Sequence, residues 1–293
     1  MKNTKLRVLS TSILMVVITL SLFHLPNKAA KESIIFFPID KKAMFLSAST
    51  SISLNEGKTP TYSVDWRLKS VLNEKAYLRQ DIGLLYENGR LKQKTNNWKQ
   101  NVTLLESEKR IFGKDSALFE GVSFHYAELH DQVGNSITSA QIMASDGLYV
   151  IDSKFSPLYS FKVPSTNTEM EWKKVMDQLI NRRLQYTKDK AVKAFHIPES
   201  QFDDIALTDL PKYNNQPLPG FTQDQTNIII GNLWEGLYKN YFLGIKLKNG
   251  TVEDPLDSTV PIILLNKNKE NLYIIFLTKT NQPILLMQKI NFD

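Results

Sequence analysis

The densest group of chemically active side chains lies in residues 125–131, which hold two of the four histidines in the chain. If this segment is a β-strand, Tyr126, Glu128 and His130 point to one face and His125 to the other. Glu128 and His130 could then bind one metal ion, but a third ligand would have to come from elsewhere. So incomplete a ligand set favours an ordinary solvated strand face. We therefore expect no metal ion and no cofactor.

The sequence carries no motif for nucleophilic or phosphate chemistry. The absence of cysteine excludes thiolate nucleophiles, thiolate metal ligands and disulfides. A G-x-S-x-G elbow, an S-x-x-K pair and a phosphate-binding glycine loop are also missing. A site assembled from distant residues stays open, because catalytic triads are defined by geometry. We expect a non-catalytic protein; the alternative is an envelope hydrolase or metal-dependent enzyme that uses His125, Glu128, His130 or Asp131.

Two acidic groups and one basic helix complete the charged features. The acidic groups, residues 203–209 and 253–257, lack the ligand spacing of a calcium-binding loop, so we expect exposed loop acids. Basic side chains spread around the helix predicted for residues 169–195, which favours a solvated face over a patch for anionic lipids or wall polymers.

Net charge is dominated by the N-terminus. The formal charge is +6, and five of the 36 basic residues flank one apolar segment, namely Lys2, Lys5, Arg7, Lys28 and Lys31. From Glu32 onward, 31 basic residues face 30 acidic ones. Because nucleic-acid binding requires a concentrated basic face, this nearly neutral remainder argues against it.

Residues 8–27 contain no charged side chain and form the apolar segment. A helix of that length spans about 30 Å, the thickness of a bilayer's hydrocarbon core. The basic residues before it predict a cytoplasmic N-terminus and an extracytoplasmic remainder. Its apolar side chains include Val8, Leu14, Val17, Leu20 and Leu25.

The segment after residue 27 offers only a poor signal-peptidase site. Cleavage after Ala30 or Ala29 would place Lys28 or Asn27 three residues before the cut, where a small residue is required. We therefore expect an uncleaved signal anchor and a single-pass protein of the cell membrane. Cleavage, with secretion of the remainder, is the alternative.

The predicted organisation has five parts. Residues 1–7 form a cytoplasmic tail, 8–27 the membrane anchor, and 28–60 a stalk with short strands. Residues 61–165 and 166–293 form two α+β subdomains, which could also be one continuous domain. The expected fold class is α+β, with antiparallel β-meanders packed against about three helices.

Local patterns predict the main elements. Val64, Leu68, Val71 and Leu72 have helical spacing, which predicts a helix starting near Ser63. Asn88-Gly89 predicts a type I′ hairpin. Strands are expected at 117–129, 136–144 and 148–152, with a turn at Asp146-Gly147. Two further helices are predicted, one over 169–195 with a capping box at Thr168 and Glu171, and one after a capping box at Thr222 and Gln225.

These features predict a membrane-tethered extracytoplasmic module that binds or regulates a partner in a bacterial envelope. The partner could be another envelope protein that contacts the ectodomain or the membrane helix. A small-ligand carrier is a further alternative, in which the loop at 211–220 closes a pocket.

Overall fold

The computed structural model describes residues 36–58, 61–130, 136–154 and 156–292. The predicted anchor at 8–27 and the cytoplasmic tail lie outside these residues. No helix in the described ranges is both long and apolar enough to cross a membrane. The described residues form one compact unit of mostly antiparallel sheets with a few helices. The α+β class is therefore confirmed.

The main sheet is built around one very long hairpin. Strands β2 (Thr61–Glu87) and β3 (Arg90–Gly113) pair along their whole lengths. The Asn88-Gly89 turn between them is confirmed, with φ of 50° and 74° at its two residues. The remaining strands are β1 (Phe45–Lys58), β4 (Ala117–His130), β5 (Ile137–Ser153) and β6 (Ser156–Phe161).

Strand β2 is bent, so that its two halves face each other. Its first half pairs with β1 and its second half with β4, and the register with β3 shifts between Val71 and Ala76. A Cβ atom on Gly83, in the second half, would lie 2.6 Å from the ring of Trp66 in the first half. Only a glycine fits there, because real Cβ atoms do not approach other atoms so closely.

The helix predicted near Ser63 is wrong, since this region is the start of β2. Val64 and Leu68 are both buried, as a helix would require, but Tyr62 and Trp66 are buried too while Arg67 and Lys69 are exposed. A spacing of four residues satisfies a period of two as well as a helical period. Burial inside the bend therefore selects the strand.

The turn predicted at Asp146-Gly147 is also wrong, because β5 runs unbroken through both residues. Gly147 pairs with Glu120 of β4, and Asp146 pairs with Gly121. The Asp146 carboxylate accepts hydrogen bonds from the backbone N–H of Ile52 at 2.7 Å and from Lys162 at 2.5 Å. These partners stabilise a strand where the residue pair alone favours a turn.

The second half of the chain packs two α-helices against a smaller sheet. Helix α1 spans Asn167–Phe195, and helix α2 spans Gln223–Leu237 before a π-helical turn at Tyr238–Phe242. Short 3₁₀ segments lie at Glu199–Gln201 and Leu207–Asn214. The smaller sheet is formed by β7 (Phe202–Ala206), β10 (Ile262–Asn266), β11 (Asn271–Leu277) and β12 (Pro283–Lys289). Its strand order is β12-β11-β10-β7. Strands β8 (Ile245–Lys246) and β9 (Val252–Glu253) make a separate two-stranded ribbon.

The helix starts were predicted with unequal success. The capping box of Thr222 and Gln225 is confirmed. For α1 the capping residues are Thr166 and Glu169, two positions earlier than predicted. Both registers match the same short motif, and the one that forms lets Glu169 accept hydrogen bonds from the backbone N–H groups of Ser165 and Thr166.

The largest core cluster joins the two halves of the chain. It contains Ile82 and Phe124 of the main sheet, Trp234 of α2, and Phe276 of the smaller sheet. The rings of Phe124 and Trp234 stack with centroids 5.2 Å apart. Residues on both sides of position 165 therefore share one hydrophobic core.

Candidate functional site

A cleft of about 650 Å³ lies between helix α1 and the main sheet. The sheet contributes polar and small residues, the helix contributes Asp177, Ile180, Asn181 and Leu184, and Thr208 lies at one side. The sheet residues include Glu120 and Gly121 of β4 and Asp146, Gly147 and Tyr149 of β5. The lining thus mixes polar and apolar side chains, and small-molecule sites combine both kinds of contact.

A glycine opposite Glu120 keeps the cleft open. Glu120 and Gly147 face each other across the β4–β5 ladder. A Cβ atom on Gly147 would find the backbone oxygen of Phe119, 3.9 Å away, as its nearest neighbour among the described residues. Any larger side chain at this position would therefore grow into the cleft rather than into existing structure.

Glu120 is the one carboxyl group of the cleft whose partner is missing from the described residues. Its Oε2 atom is buried and has no hydrogen-bond partner there, while the side chain as a whole keeps a partial exposure. Burial, together with the negative charges of Asp209 and Asp177, raises its pKa to about 7. The group therefore changes charge near neutral pH, and perturbed carboxyls in clefts are candidates for functional sites.

The other two acids in the cleft wall already have partners. Asp146 accepts hydrogen bonds from Ile52 and Lys162. Asp177 accepts a 2.7 Å hydrogen bond from the Tyr149 hydroxyl and pairs with Lys173 one helical turn away. Burial, and then the hydrogen bond to Asp177, raises the pKa of Tyr149 to about 12. Tyr149 therefore stays neutral and donates to Asp177 throughout the physiological range.

His125, an alternative catalytic residue in the sequence, lies in a geometry that resembles a catalytic triad. Its Nε2 is 2.8 Å from Ser123 Oγ, and its Nδ1 is 3.2 Å from Asp81 Oδ2, although that contact lacks the geometry of a hydrogen bond. Asp81 and His125 face each other across the β2–β4 ladder. However, Ser123 and His125 are both completely buried. A nucleophile must touch its substrate, so this arrangement cannot act on one in the conformation described.

The same buried cluster has an evident structural role. The Arg79 guanidinium donates to the backbone oxygens of Ser70 at 3.0 Å and Thr103 at 2.8 Å, and lies 3.6 Å from Asp81. The Ser70 hydroxyl donates to Asp81 at 2.5 Å. Ser70 lies in the first half of β2 and Arg79 and Asp81 in the second, so these bonds hold the bend closed.

The weak metal candidates, Glu128 and His130, contact each other through a 2.5 Å hydrogen bond, and the His130 ring packs 4.1 Å from that of Tyr77. Asp131 lies outside the described residues. Within the described ranges, no three His, Asp or Glu side chains come together as a metal site would require. Glu128 and His130 thus lie side by side with no third ligand from this part of the chain.

A small cavity lies beside the loop at 211–220. The space beside Asn214 and Asn215 measures about 130 Å³, well below the roughly 300 Å³ of ordinary ligand pockets. Asn214 accepts a hydrogen bond from the backbone N–H of Met143 and donates one to its carbonyl, at 3.1 and 2.7 Å. These two hydrogen bonds fix the loop to the sheet. If the protein is a small-ligand carrier, the larger cleft beneath α1 is a better candidate for its binding site than the space beside this loop.

Sequence reasoning missed Glu120 and its cleft. The one local signal was a glutamate in the mostly apolar and aromatic run of residues 117–127, since a carboxyl is rarely buried unless a partner or a function requires it. No protein-family model matches the sequence, and comparison with curated proteins and with solved structures finds no match either. Function is therefore argued from the site itself.

Proposed function

We propose that this protein is a membrane-tethered extracytoplasmic binding module of a bacterial envelope, which holds a small molecule in the cleft around Glu120. The observation that carries the proposal is a cleft of about 650 Å³ with an unpartnered carboxyl group in its wall. This volume lies within the usual range for small-molecule sites, about 300–1,000 Å³. The tether is the apolar segment at 8–27 with its basic flanks.

Binding is favoured over catalysis by the state of the polar groups. Acid–base chemistry usually requires two groups that can exchange protons with the substrate. In this cleft Asp146 and Asp177 are held by lysine and by hydrogen bonds, and Glu120 is left as a single group. The alternative nucleophile, Ser123, is enclosed in the bend of β2.

The proposal can be tested by blocking the cleft. Gly147→Val would place a branched side chain in its open floor, and β-branched residues suit a strand. Gly236→Val is the matched control, because a Cβ atom there finds no described atom within 4 Å and the residue does not line this cleft. Both variants would be made in the full-length protein and inserted into lipid nanodiscs.

A fragment library would then be screened by methyl NMR. The Ile180 side chain lines the cleft and reports binding there, while Ile275 lies in a different core cluster and serves as the internal reference. We expect fragments that shift the Ile180 signal in the wild type and in Gly236→Val but not in Gly147→Val. A library that never shifts Ile180, or shifts it equally in Gly147→Val, would contradict the proposal.

A further inference from the structure

The charges around the cleft are unevenly matched. Three elements line it with an acid, β4 with Glu120, β5 with Asp146 and α1 with Asp177, and Asp209 of the 3₁₀ segment lies near enough to raise the pKa of Glu120. Lys162 pairs with Asp146, Lys173 with Asp177, and Lys212 lies 4.0 Å from Asp209. Each of the three aspartates thus has its own lysine, whereas Glu120 has no counter-ion among the described residues.

The surroundings of Glu120 also determine what could neutralise it. Among the apolar residues that line the cleft with Glu120, Leu118 and Ile180 are already packed in a core cluster, whereas Leu184 is partly buried and Val163 is exposed. A fully hydrated inorganic cation would leave the exposed apolar surface of Val163 and Leu184 uncovered. An organic cation would bury them while it supplied the missing charge, which is how mixed pockets ordinarily select their ligands.

From this arrangement we infer that the ligand carries an ammonium group on an apolar body, and that the ammonium pairs with the Glu120 carboxylate. The inference rests on the proposed binding function and deepens it by naming the ligand class. The apolar body lies against Val163 and Leu184. The lysines that pair with Asp146 and Asp177 attract an anionic ligand less strongly than Glu120 attracts a cation, because each lysine is already neutralised by its aspartate.

Binding of an ammonium is coupled to a proton. Burial and the nearby Asp209 and Asp177 raise the pKa of Glu120 to about 7, and a bound cation would lower it again. Tyr149, with a pKa of about 12, does not titrate in this range. An ammonium ligand should therefore bind about tenfold more weakly at pH 6 than at pH 8, and should release a proton when it binds near pH 7.

The test uses three probes of equal chain length: n-hexylammonium, 1-hexanol and hexanoate. Each would be titrated into the full-length protein in nanodiscs of zwitterionic lipid, at pH 6 and pH 8, with the Ile180 methyl signal as the readout. We expect hexylammonium to bind at least tenfold more tightly than hexanol at pH 8 and to lose that advantage at pH 6. Hexanoate should bind more weakly than either.

Two variants separate the charge from the shape of the site. Glu120→Gln keeps the size of the side chain, and it should reduce hexylammonium binding to the level of hexanol while leaving hexanol unchanged within about twofold. Glu120→Asp keeps a carboxylate and should retain the preference for ammonium. An unchanged Ile275 signal and a cooperative thermal unfolding transition would establish that both variants are folded.

Each outcome bears on the inference. If hexanol and hexylammonium bind equally and Gly147→Val abolishes both, the binding cleft stands and the ammonium inference fails. If none of the three probes shifts Ile180, both fail. If Ca²⁺ or Mg²⁺ displaces hexylammonium and itself binds in a Glu120-dependent way, the site takes a metal cation and the inference is overturned.

Discussion

At the residue scale, the buried Glu120 carboxyl makes the folded state less stable at alkaline pH than at acidic pH. A carboxyl group that keeps its proton to about pH 7 when folded, but ionises near pH 4.5 when unfolded, stabilises the folded state below pH 4.5. That stabilisation is lost as the pH rises through 7. Residues of this kind persist at sites where function outweighs stability.

Glu120→Gln should therefore stabilise the folded protein at alkaline pH. Because glutamine never ionises, we expect the variant to gain about 2–3 kcal/mol over the wild type at pH 8.5 relative to pH 5. Urea unfolding at the two pH values measures this difference. A Glu120→Gln curve that parallels the wild type would argue against the raised pKa of Glu120.

Arg79 is the second residue with a measurable role, because it joins the two halves of β2. It is completely buried, and so is its partner Asp81. Removal of one member of a buried ion pair typically costs about 3–5 kcal/mol, since the other charge is left uncompensated. We expect Arg79→Ala to lose at least about 3 kcal/mol of unfolding free energy in urea titrations.

A matched control for Arg79 lies on the same strand. Arg67 pairs with Glu108 at the surface, where both side chains are more than half exposed. Exposed pairs contribute about 0–1 kcal/mol, so Arg67→Ala should hardly change stability. If both arginine variants were equally stable, the buried cluster would not be what holds the bend.

At the element scale, local signals were predicted correctly where one short motif has one structural solution. Asn-Gly at 88–89 requires positive φ at both residues, and the turn formed as expected. Thr222 and Gln225 likewise satisfy each other's orphan backbone amides without help from the rest of the fold. In such motifs the residues that predict the structure also make the contacts that stabilise it.

Where a sequence pattern fits both a helix and a strand, tertiary packing determines which of the two forms. The Val64 and Leu68 spacing fits a helix and a strand, and the bend around Trp66 selects the strand. The candidate site depends even more on long-range packing, because Asp177 and Ile180 of α1 reach Glu120 only after the helix folds over β4. The local sequence of β4 or of α1 therefore does not predict that the two elements meet at Glu120.

The apolar residues of helix α1 differ in how deeply they are buried. Met176 and Ile180 are buried against the sheet, whereas Val175 and Leu179 are 58% and 43% exposed. We expect Ile180→Ala to cost about 2–4 kcal/mol, because it leaves a cavity. Leu179→Ala, one position earlier, should cost less than about 1 kcal/mol. Chemical denaturation compares the two, and equal costs would contradict the helix orientation.

At the scale of the whole molecule, the question is whether the predicted subdomains, 61–165 and 166–293, unfold separately. Their shared core argues that they do not. Phe124 of β4 stacks on Trp234 of α2, and the Trp234 indole N–H donates to the Met143 sulfur of β5 at 3.3 Å. A domain whose core spans both halves loses packing in both when either one opens.

Tryptophan fluorescence can test this cooperativity. Trp66 is buried in the bend of the main sheet and Trp234 in the core shared with the second half. Variants that retain only one of these two, with the other tryptophans replaced by phenylalanine, would report each half separately. We expect both urea transitions to have the same midpoint and slope once each is referenced to its own variant's circular dichroism curve. An earlier transition at Trp234 than in the dichroism of the same variant would mean that residues 166–293 unfold on their own.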